Sequence, residues 1–588
     1  MDIQALIKQF EAVKAKRAPW EVVWELIARY MFQRKQGFTS VSMPGDFYTH
    51  EDVVDNTAGA ALQTMVSSLD GALWKNGGRT FRVKRPRRVR DSEEVKQFYA
   101  EINARIHDAM EHENAAFGTA RQEALAECVG FGTDGIGVFK APPGSKHKVE
   151  YRAMSLKSLY VVEDSRGRVV KEFYLFEHPA DQLVGEYGEV AMTEKVKAAL
   201  EKNDFTTLFK VLWVVQPAET PKGSLTYDSL HILYDDKILL RRAGFNGNAI
   251  IVTRFYKNEG EEYGRSPGYK ALSPTITINA VVETCIKGGE LTAFPSWYVL
   301  DDGTFGQGTI DRSAGGVVPI DVTSSRITGM APIGQIGAVG SLQWLQKLIE
   351  WLAGEISQHF MVDKLTDLNN RTRMTLGEAQ IRNELRADNT GSVFSRQMEE
   401  KLTPVIRRTI GLLEDEGELG VEPGSDLAAQ LTAVGRIPLL IPQEVMELKA
   451  QGGEIYPIEF ICPAARILRS EEVRGMISLW QFAAGFSGVA PELLLWLNKK
   501  KAMPIVRDLY GAPEDTIVSE EEYEANYENW LKEQASTRQL QAAAVAADVE
   551  AKKAGANQAN AQAQATMGGM NGLLNGGGAG AGYPEMVM

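Results

Sequence analysis

The chain of 588 residues has only three cysteines, Cys128, Cys285 and Cys462, widely separated and odd in number. That excludes a disulfide framework and a CxxC metal site, and it suits a reducing compartment. No window of about 18 residues is uniformly apolar, so no membrane-spanning helix is expected. Met1-Asp2-Ile3-Gln4 opens a charged amphipathic helix and lacks the basic and apolar stretches of a signal peptide. G-x-x-x-x-G-K-[ST] is absent, which removes the main signature of a nucleoside-triphosphate motor, and G-x-S-x-G does not occur either. His107 and His112 are five residues apart, off a common helical face, and Glu111 does not complete H-E-x-x-H. No repeat of fixed period is visible. No catalytic residue, metal ligand or cofactor is expected, although an enzyme with a dispersed active site stays open as an alternative.

Positive charge is also in short supply: 64 Lys and Arg stand against 77 Asp and Glu, a net of −13. Such a chain does not grip nucleic acid through its overall field. An acidic or mixed inner wall would let a duplex slide without sticking, and ordinary solubility accounts for the same balance. The densest basic run is Lys84-Arg85-Pro86-Arg87-Arg88-Val89-Arg90. It reads as an exposed loop after a strand, or as a contact with a neighbouring subunit's acidic surface, more readily than as a nucleic-acid contact.

Gly130-Phe131-Gly132-Thr133-Asp134-Gly135 matches G-x-G-x-x-G in reversed context, with a helix before it and the strand Ile136 to Lys140 after it. A dinucleotide fingerprint needs the strand first, so that phosphate meets a helix N-terminus. The expected structure is instead a helix C-cap and a tight turn into a strand.

The most informative stretch runs from Tyr263 to Ile410. Tyr263-Gly264-Arg265-Ser266-Pro267-Gly268 is turn chemistry, and Ser273-Pro274 offers an N-cap followed by proline at the first helical position. A helix is expected from Pro274 to Thr292, with Glu283, Lys287 and Glu290 as an alternating-charge stripe; the β-branched run Thr275 to Ile278 argues for strand. Phe294 to Gly334 is rich in glycine, proline and short β-type runs, Ser296 to Leu300 and Gly316 to Ile320, as in a small β insert. Leu342, Leu345, Ile349, Leu352 and Ile356 then recur at helical spacing beside a second stripe of Trp344, Leu348 and Trp351. Two apolar stripes call for two helical neighbours, and one chain is expected to lack a sufficient partner for both. Met361 to Thr375 is a loop-like run carrying Asp363, Lys364, Asp367, Arg371 and Arg373.

Elsewhere, residues 2 to 35 read as a helix containing Arg17, Trp20 and Tyr30, and Asp55-Asn56-Thr57 caps a second helix ending in Leu73-Trp74. Phe81 to Val83 is a short strand, and Ser92 to Gly130 one or two long helices. Strands follow at Val149 to Ala153, Leu159 to Val162, Val169 to Phe176, Val211 to Val215, Ser229 to Tyr234 and Ile250 to Tyr256, with a helix near Met192 to Glu201. Leu376 to Glu416 is a long helical tract interrupted at Pro404, and Ile455 to Ile461 is a strand able to pair back into the β-rich region. Ser470 to Gln541 is mostly helical. From Gly555 onward nine of the 34 residues are glycine, most others are Ala, Asn, Gln or Met, and Glu585 is the one charge, so disorder is expected.

This order of helix, β insert, apolar helix, charged loop and helix resembles the portal proteins of tailed bacteriophages, specifically the head-to-tail connecting family of short-tailed phages. The Arg17-Trp20-Tyr30 helix and the capped helix ending in Leu73-Trp74 are a second point of similarity. The resemblance covers most of residues 10 to 540. It implies an α+β, mainly helical fold forming a homo-oligomeric ring of about a dozen copies around a channel. By resemblance, residues 1–265 are the N-terminal part of the wing, 266–293 the first stem helix, 294–337 the clip and 338–361 the second stem helix. Residues 362–375 become the tunnel loop, 376–469 the C-terminal part of the wing, 470–554 a helical crown and 555–588 a disordered tail. The implied roles are Lys364, Arg371 and Arg373 facing DNA, Glu283, Lys287 and Glu290 facing the channel, and Leu342, Leu345, Ile349, Leu352 and Ile356 packing between subunits. The implied partners are further copies of the chain, double-stranded DNA, the terminase, tail adaptor proteins, and capsid or scaffold protein. The implied location is the virion, after assembly in the host cytoplasm, with no membrane partner. Another virion ring or tail-tube component is the alternative within structural proteins.

Overall fold

The computed structural model describes residues 2–32, 37–39, 53–74, 79–90, 92–222, 225–301, 315–321, 333–335, 343–362, 391–433, 437–465, 475, 478–483, 485 and 520–573. The fold is α+β and mainly helical. In chain order the helical first part holds α1 (Ile3–Met31), α2 (Thr57–Leu73), β1 (Phe81–Val83), α3 (Glu93–Glu111) and α4 (Phe117–Phe131). A β-rich part follows: β2 (Thr133–Lys140), β3 (Val149–Met154), β4 (Leu159–Glu163), β5 (Val169–Pro179), α5 (Ala180–Tyr187), α6 (Glu194–Glu201), β6 (Leu208–Lys222), β7 (Leu225–Leu233), β8 (Ile238–Phe245) and β9 (Ile250–Arg254). Next come α7 (Pro267–Ala293), the insert strands β10 (Trp297–Asp301), β11 (Val317–Asp321) and β12 (Ile333–Gln335), and α8 (Gln343–His359). The remainder holds a π-helical turn (Gln397–Leu402), α9 (Thr403–Asp415), α10 (Asp426–Ala433), α11 (Gln443–Ala450), β13 (Ile458–Phe460) and α12 (Glu520–Leu573).

Strands β4 to β8 form an antiparallel sheet in sequence order. Its central strand β6 is buried on both faces, and its side chains alternate between two cores. Leu212 and Val214 meet Leu6, Ile7, Phe10 and Val13 of α1, whereas Val211 meets α5 and α6, and Trp213 and Val215 enter the main core. A second antiparallel sheet has the order β3-β2-β9 and is covered by α4. The strand expected at 455–461 returns as β13, pairing antiparallel with β1 so that Phe81 lies opposite Phe460. The runs expected at 296–300 and 316–320 are β10 and β11, which pair in parallel while β12 pairs antiparallel with β10.

Helix α1 joins two of these cores because its middle carries Arg17, a cation almost fully buried. Its guanidinium donates to the carbonyls of Leu159 (2.6 Å) and Lys157 (3.0 Å), pairs with Glu21 at 2.9 Å and lies 4.0 Å above the Tyr160 ring. Hydrogen-bonded and paired in this way, the charge is tolerated in the interior and ties the helix to the start of β4.

Four sequence expectations need correction. Helix α7 begins at Pro267, not Pro274, because Ser266-Pro267 is the same N-cap and first-turn signature seven residues earlier, and Ser266 Oγ accepts from Tyr269 N at 2.8 Å. Pro274 and the β-branched run after it lie within that helix, where burial of Thr275 and Ile278 overrides local preference. The tract through Pro404 is not interrupted. Its preceding turn is π-helical, with Thr403 N and Oγ1 both donating to Met398 O, so the ring that cannot donate is absorbed by one wider turn. Helix α12 runs on to Leu573, past the start of expected disorder at Gly555, in keeping with the high helix propensity of its alanines and glutamines; residues 574–588 lie outside the described set. Strand β8 and helix α5 were not expected at all. Helix α5 does carry helical spacing, with Ala180, Leu183, Val184 and Tyr187 on one face, but it is only about two turns long; β8 is half polar and alternates poorly.

Candidate functional site

The geometry that matters begins where α4 turns into β2 and meets the start of α7. Gly132 caps α4 with φ +95°, a left-handed conformation that favours glycine, and its N–H bonds to Cys128 O at 2.9 Å. A Cβ there would sit 2.2 Å from Gly264 O, and one on Gly264 would sit 2.3 Å from Gly132 O. Two backbones therefore touch, and the polar groups released by the turn are all used. Ser266 Oγ donates to Gly130 O at 2.6 Å, Gly264 N donates to Thr133 Oγ1 at 2.8 Å, Phe255 N donates to Gly132 O at 2.9 Å, and Trp24 Nε1 donates to Phe131 O at 3.0 Å. Between three and four turns further along α7, Asn279 Oδ1 accepts from Val54 N and Asp55 N, both at 2.9 Å, holding the segment that leads into α2. The lower half of α7 is thus rooted in the body at every turn.

Charges are buried beside this root. Asp134, on β2, and Lys401, on the π-helical turn, form a fully enclosed ion pair. Burial pushes the Asp134 carboxyl up to about 6, with the Lys401 charge opposing. Gln397, one turn before Lys401, donates to Cys128 Sγ at 3.3 Å, and burial drives that thiol far above its ordinary range. Next to the pair, Arg254 of β9 bridges Glu163 and Glu400, the latter at 3.4 Å, while Lys257 adds a 2.7 Å contact to Glu163. These groups border an open cleft of about 1050 Å³ that also exposes one edge of the five-stranded sheet. At its wall, Glu172 is completely buried and accepts from Asn248 Nδ2 at 2.7 Å. Burial raises its carboxyl to about 8.

Helices α7 and α8 pack on each other, and α8 also touches α2. Burial falls along α7 and rises along α8. Ala271, Thr275 and Ile278 are buried at the start of α7, whereas Ile286, Leu291 and Phe294 are exposed toward its end; on α8, Leu352 (3%), Ile356 (0%) and Phe360 (0%) are buried, whereas Trp344 (61%) and Trp351 (63%) face outward. The chain thus leaves the body along one helix, forms β10 to β12, and returns along the other.

This placement revises the expected packing residues. Leu352 and Ile356 are buried within one chain, and Ile349 packs against the same core, because α2 and α7 supply the partner that the sequence reading lacked. Leu345 is half-buried, and Leu342 lies outside the described residues. On α8 the face left exposed among the described residues is that of Trp344 and Trp351. Glu283 and Lys287 form a 2.5 Å ion pair on the outer half of α7, and Glu290 is exposed one turn on. Lys364, Arg371 and Arg373 lie outside the described residues, as does most of the loop containing them. Sequence reasoning missed Asp134, Glu172, Lys401 and Asn279. Lys401 left a signal, since it falls three and seven residues after the buried Met398 and Phe394, where an apolar residue is the norm.

Among the described residues no three or more His, Cys, Asp or Glu side chains are grouped to hold a metal ion, and no helix is long and apolar enough to cross a membrane. A rooted helix pair carrying a β insert, with an uncovered aromatic face, describes a structural assembly component. The family model described as bacteriophage head to tail connecting protein matches residues 3–518. The chain belongs to that family. It is also 19% identical, over 288 residues, to the probable portal protein of Bordetella phage BPP-1, a match covering 45% of this chain and 49% of the relative. The chain therefore spans about half the length of that curated relative.

Two outcomes follow from the buried charges. Lys401→Met leaves Asp134 enclosed without a counter-charge and is expected to lower unfolding stability by about 3–5 kcal/mol, with Asp134→Asn in the same chain recovering most of the loss; chemical denaturation of the wild type and these two variants measures it. For Glu172, the raised folded-state value means that stability present at low pH is lost as pH rises between 4.5 and about 8, by a few kcal/mol. Glu172→Gln keeps the acceptor for Asn248 and is expected to flatten that dependence in a pH series of melting temperatures. An unchanged slope would show that the carboxyl ionises freely in the folded chain.

Proposed function

We propose that the chain is a phage portal: a homo-oligomeric ring of about a dozen copies at one capsid vertex, through which double-stranded DNA is packaged, retained and ejected. Its work is mechanical, and it acts in the virion after assembly in the host cytoplasm. In this reading α7 and α8 are the stem, β10 to β12 belong to the clip, and the sheets with the surrounding helices form the wing. The clip docks the terminase and later tail adaptor proteins, and the wing meets capsid or scaffold protein.

The observation that carries the reading is the split burial of α8. One side closes the core of its own chain, and the other presents two tryptophans to solvent in the same stretch of helix. Large exposed aromatic faces mark interaction sites, and identical stems side by side around a ring would cover each other's. Glu283, Lys287 and Glu290, already charged and solvated, then suit a channel wall that a duplex passes without adhering.

Trp344→Glu with Trp351→Glu is expected to abolish rings in negative-stain images while leaving the melting temperature close to wild type, because neither side chain is buried in its own chain. Ile356→Ala is expected to do the reverse, costing about 2–5 kcal/mol of chain stability through the cavity it opens. Rings formed by the double tryptophan variant would overturn the stem assignment.

The loop 362–375 is read as contacting DNA phosphates through Lys364, Arg371 and Arg373, with Asp363 and Asp367 keeping the attraction weak. Changing the three basic residues together to Ala is expected to leave rings intact and to lower the DNA packaged or retained per particle. Normal DNA length and retention would make the loop a bystander.

A further inference from the structure

The basic run after β1 is the strongest local concentration of positive charge in the sequence, and the structure shows which of its cations are committed. Arg82 and Lys84 are both taken by Glu459 on β13, at 2.7 and 2.6 Å. Lys84 N also donates to Pro457 O at 2.9 Å, so the strand is fixed just before the run begins. The chain then turns sharply. Val89 N donates to Pro86 O at 3.0 Å, the Arg85 guanidinium reaches back to Val89 O, and the Val89 side chain is buried in the main core. Strand pairing on one side and a buried valine on the other hold this turn as a rigid projection.

What it projects is Arg87, Arg88 and Arg90, all exposed, and none has an ion-pair partner among the described residues. Three guanidinium groups held within four residues repel one another, and among the described residues no carboxylate is paired with any of them. Each presents a planar fork that matches a carboxylate in two-point contact.

We propose that this arginine turn is an interaction surface that docks on an acidic face of a second copy of the chain. Charge complementarity carries the choice of partner. The chain has thirteen more acidic than basic residues, so the surface offered by any other copy is on balance acidic. The sequence after the turn argues against a nucleic-acid partner, because Glu93 and Glu94 open α3 three and four residues after Arg90 and weaken the local positive field that would draw a phosphate backbone. Alternating signs over so short a stretch fit the mixed surface of a protein. The inference rests on the ring reading above and deepens it, placing a second subunit contact on the body of the chain, apart from the stem.

The test uses the full chain, with self-association followed by sedimentation velocity at low and high salt beside binding of a labelled DNA duplex. Arg87→Glu, Arg88→Glu and Arg90→Glu combined is expected to raise the concentration needed for half-assembly by about tenfold or more at low salt, with circular dichroism and melting temperature unchanged. Most of the wild-type salt sensitivity should disappear with it, while Lys at the same three positions should retain much of the assembly. A triple Glu variant that assembles with wild-type affinity and salt dependence overturns the proposal alone. Unchanged assembly with lost duplex binding overturns it in favour of nucleic acid. A wild-type chain that never self-associates overturns the ring reading, and this inference with it.

Discussion

Everything that projects from this molecule depends on a place where two stretches of backbone touch. Between Gly132 and Gly264 there is no room for a side chain on either strand, and the turn at Gly132 has the positive φ that glycine tolerates. Because the backbones are in contact, Ser266 can cap α7 and bond the end of α4 at the same time, so one hydroxyl starts the first helix and ties it to the second. A helix anchored in this way transmits force applied to its far end into the main core. In the proposed reading of α7 as part of a stem, that is the mechanical requirement.

The same region accepts a cost in buried charge. An enclosed ion pair such as Asp134 with Lys401 adds little or no net stability compared with apolar residues of the same size, since desolvation offsets the attraction. Its effect is on register. Lys401 reaches Asp134 from a turn that is π-helical, and an α-helical turn in its place would shift the residues before it by one position relative to α9. Gln397 on the same turn meets Cys128, so two polar contacts hold the wider turn that Pro404 makes favourable. Glu172 is the opposite case, a buried carboxyl held by the Asn248 amide with no ion-pair partner among the described residues, so the body of the chain loses stability as pH rises from 4.5 to about 8.

Two of the surfaces exposed among the described residues are the proposed subunit contacts. The tryptophans of α8 are apolar and lie on the projection, while the arginine turn is charged and lies on the body. Apolar contacts contribute affinity with little directional preference, and charged contacts select partner and orientation. A closed ring needs both, because each copy must meet its neighbour in one relative rotation for the circle to close.

Local chemistry was legible in the residues themselves. The reversed glycine motif at 130–135 read as a helix cap leading into a strand, because a positive-φ turn needs glycine wherever it occurs, and the structure has that turn at Gly132. Most strands of the two larger sheets and the pairing of 455–461 back into the body were legible for the same reason: β-branched runs and alternation act over a few residues. The order of the elements from Tyr263 to Ile410 was enough to point to the family that the chain belongs to. Burial was not legible. Two apolar stripes on α8 look alike in sequence, and only packing against α2 and α7 distinguishes Ile356, sealed inside the chain, from Trp351, exposed among the described residues. The helix start at Pro267 was hidden by an equivalent Ser-Pro pair seven residues later. Choosing between them required the contact of Ser266 with Gly130, a residue 136 positions away in the chain. Local preferences are set by neighbours in sequence, whereas burial and ion pairing are set by neighbours in space, and those exist only once the chain has folded.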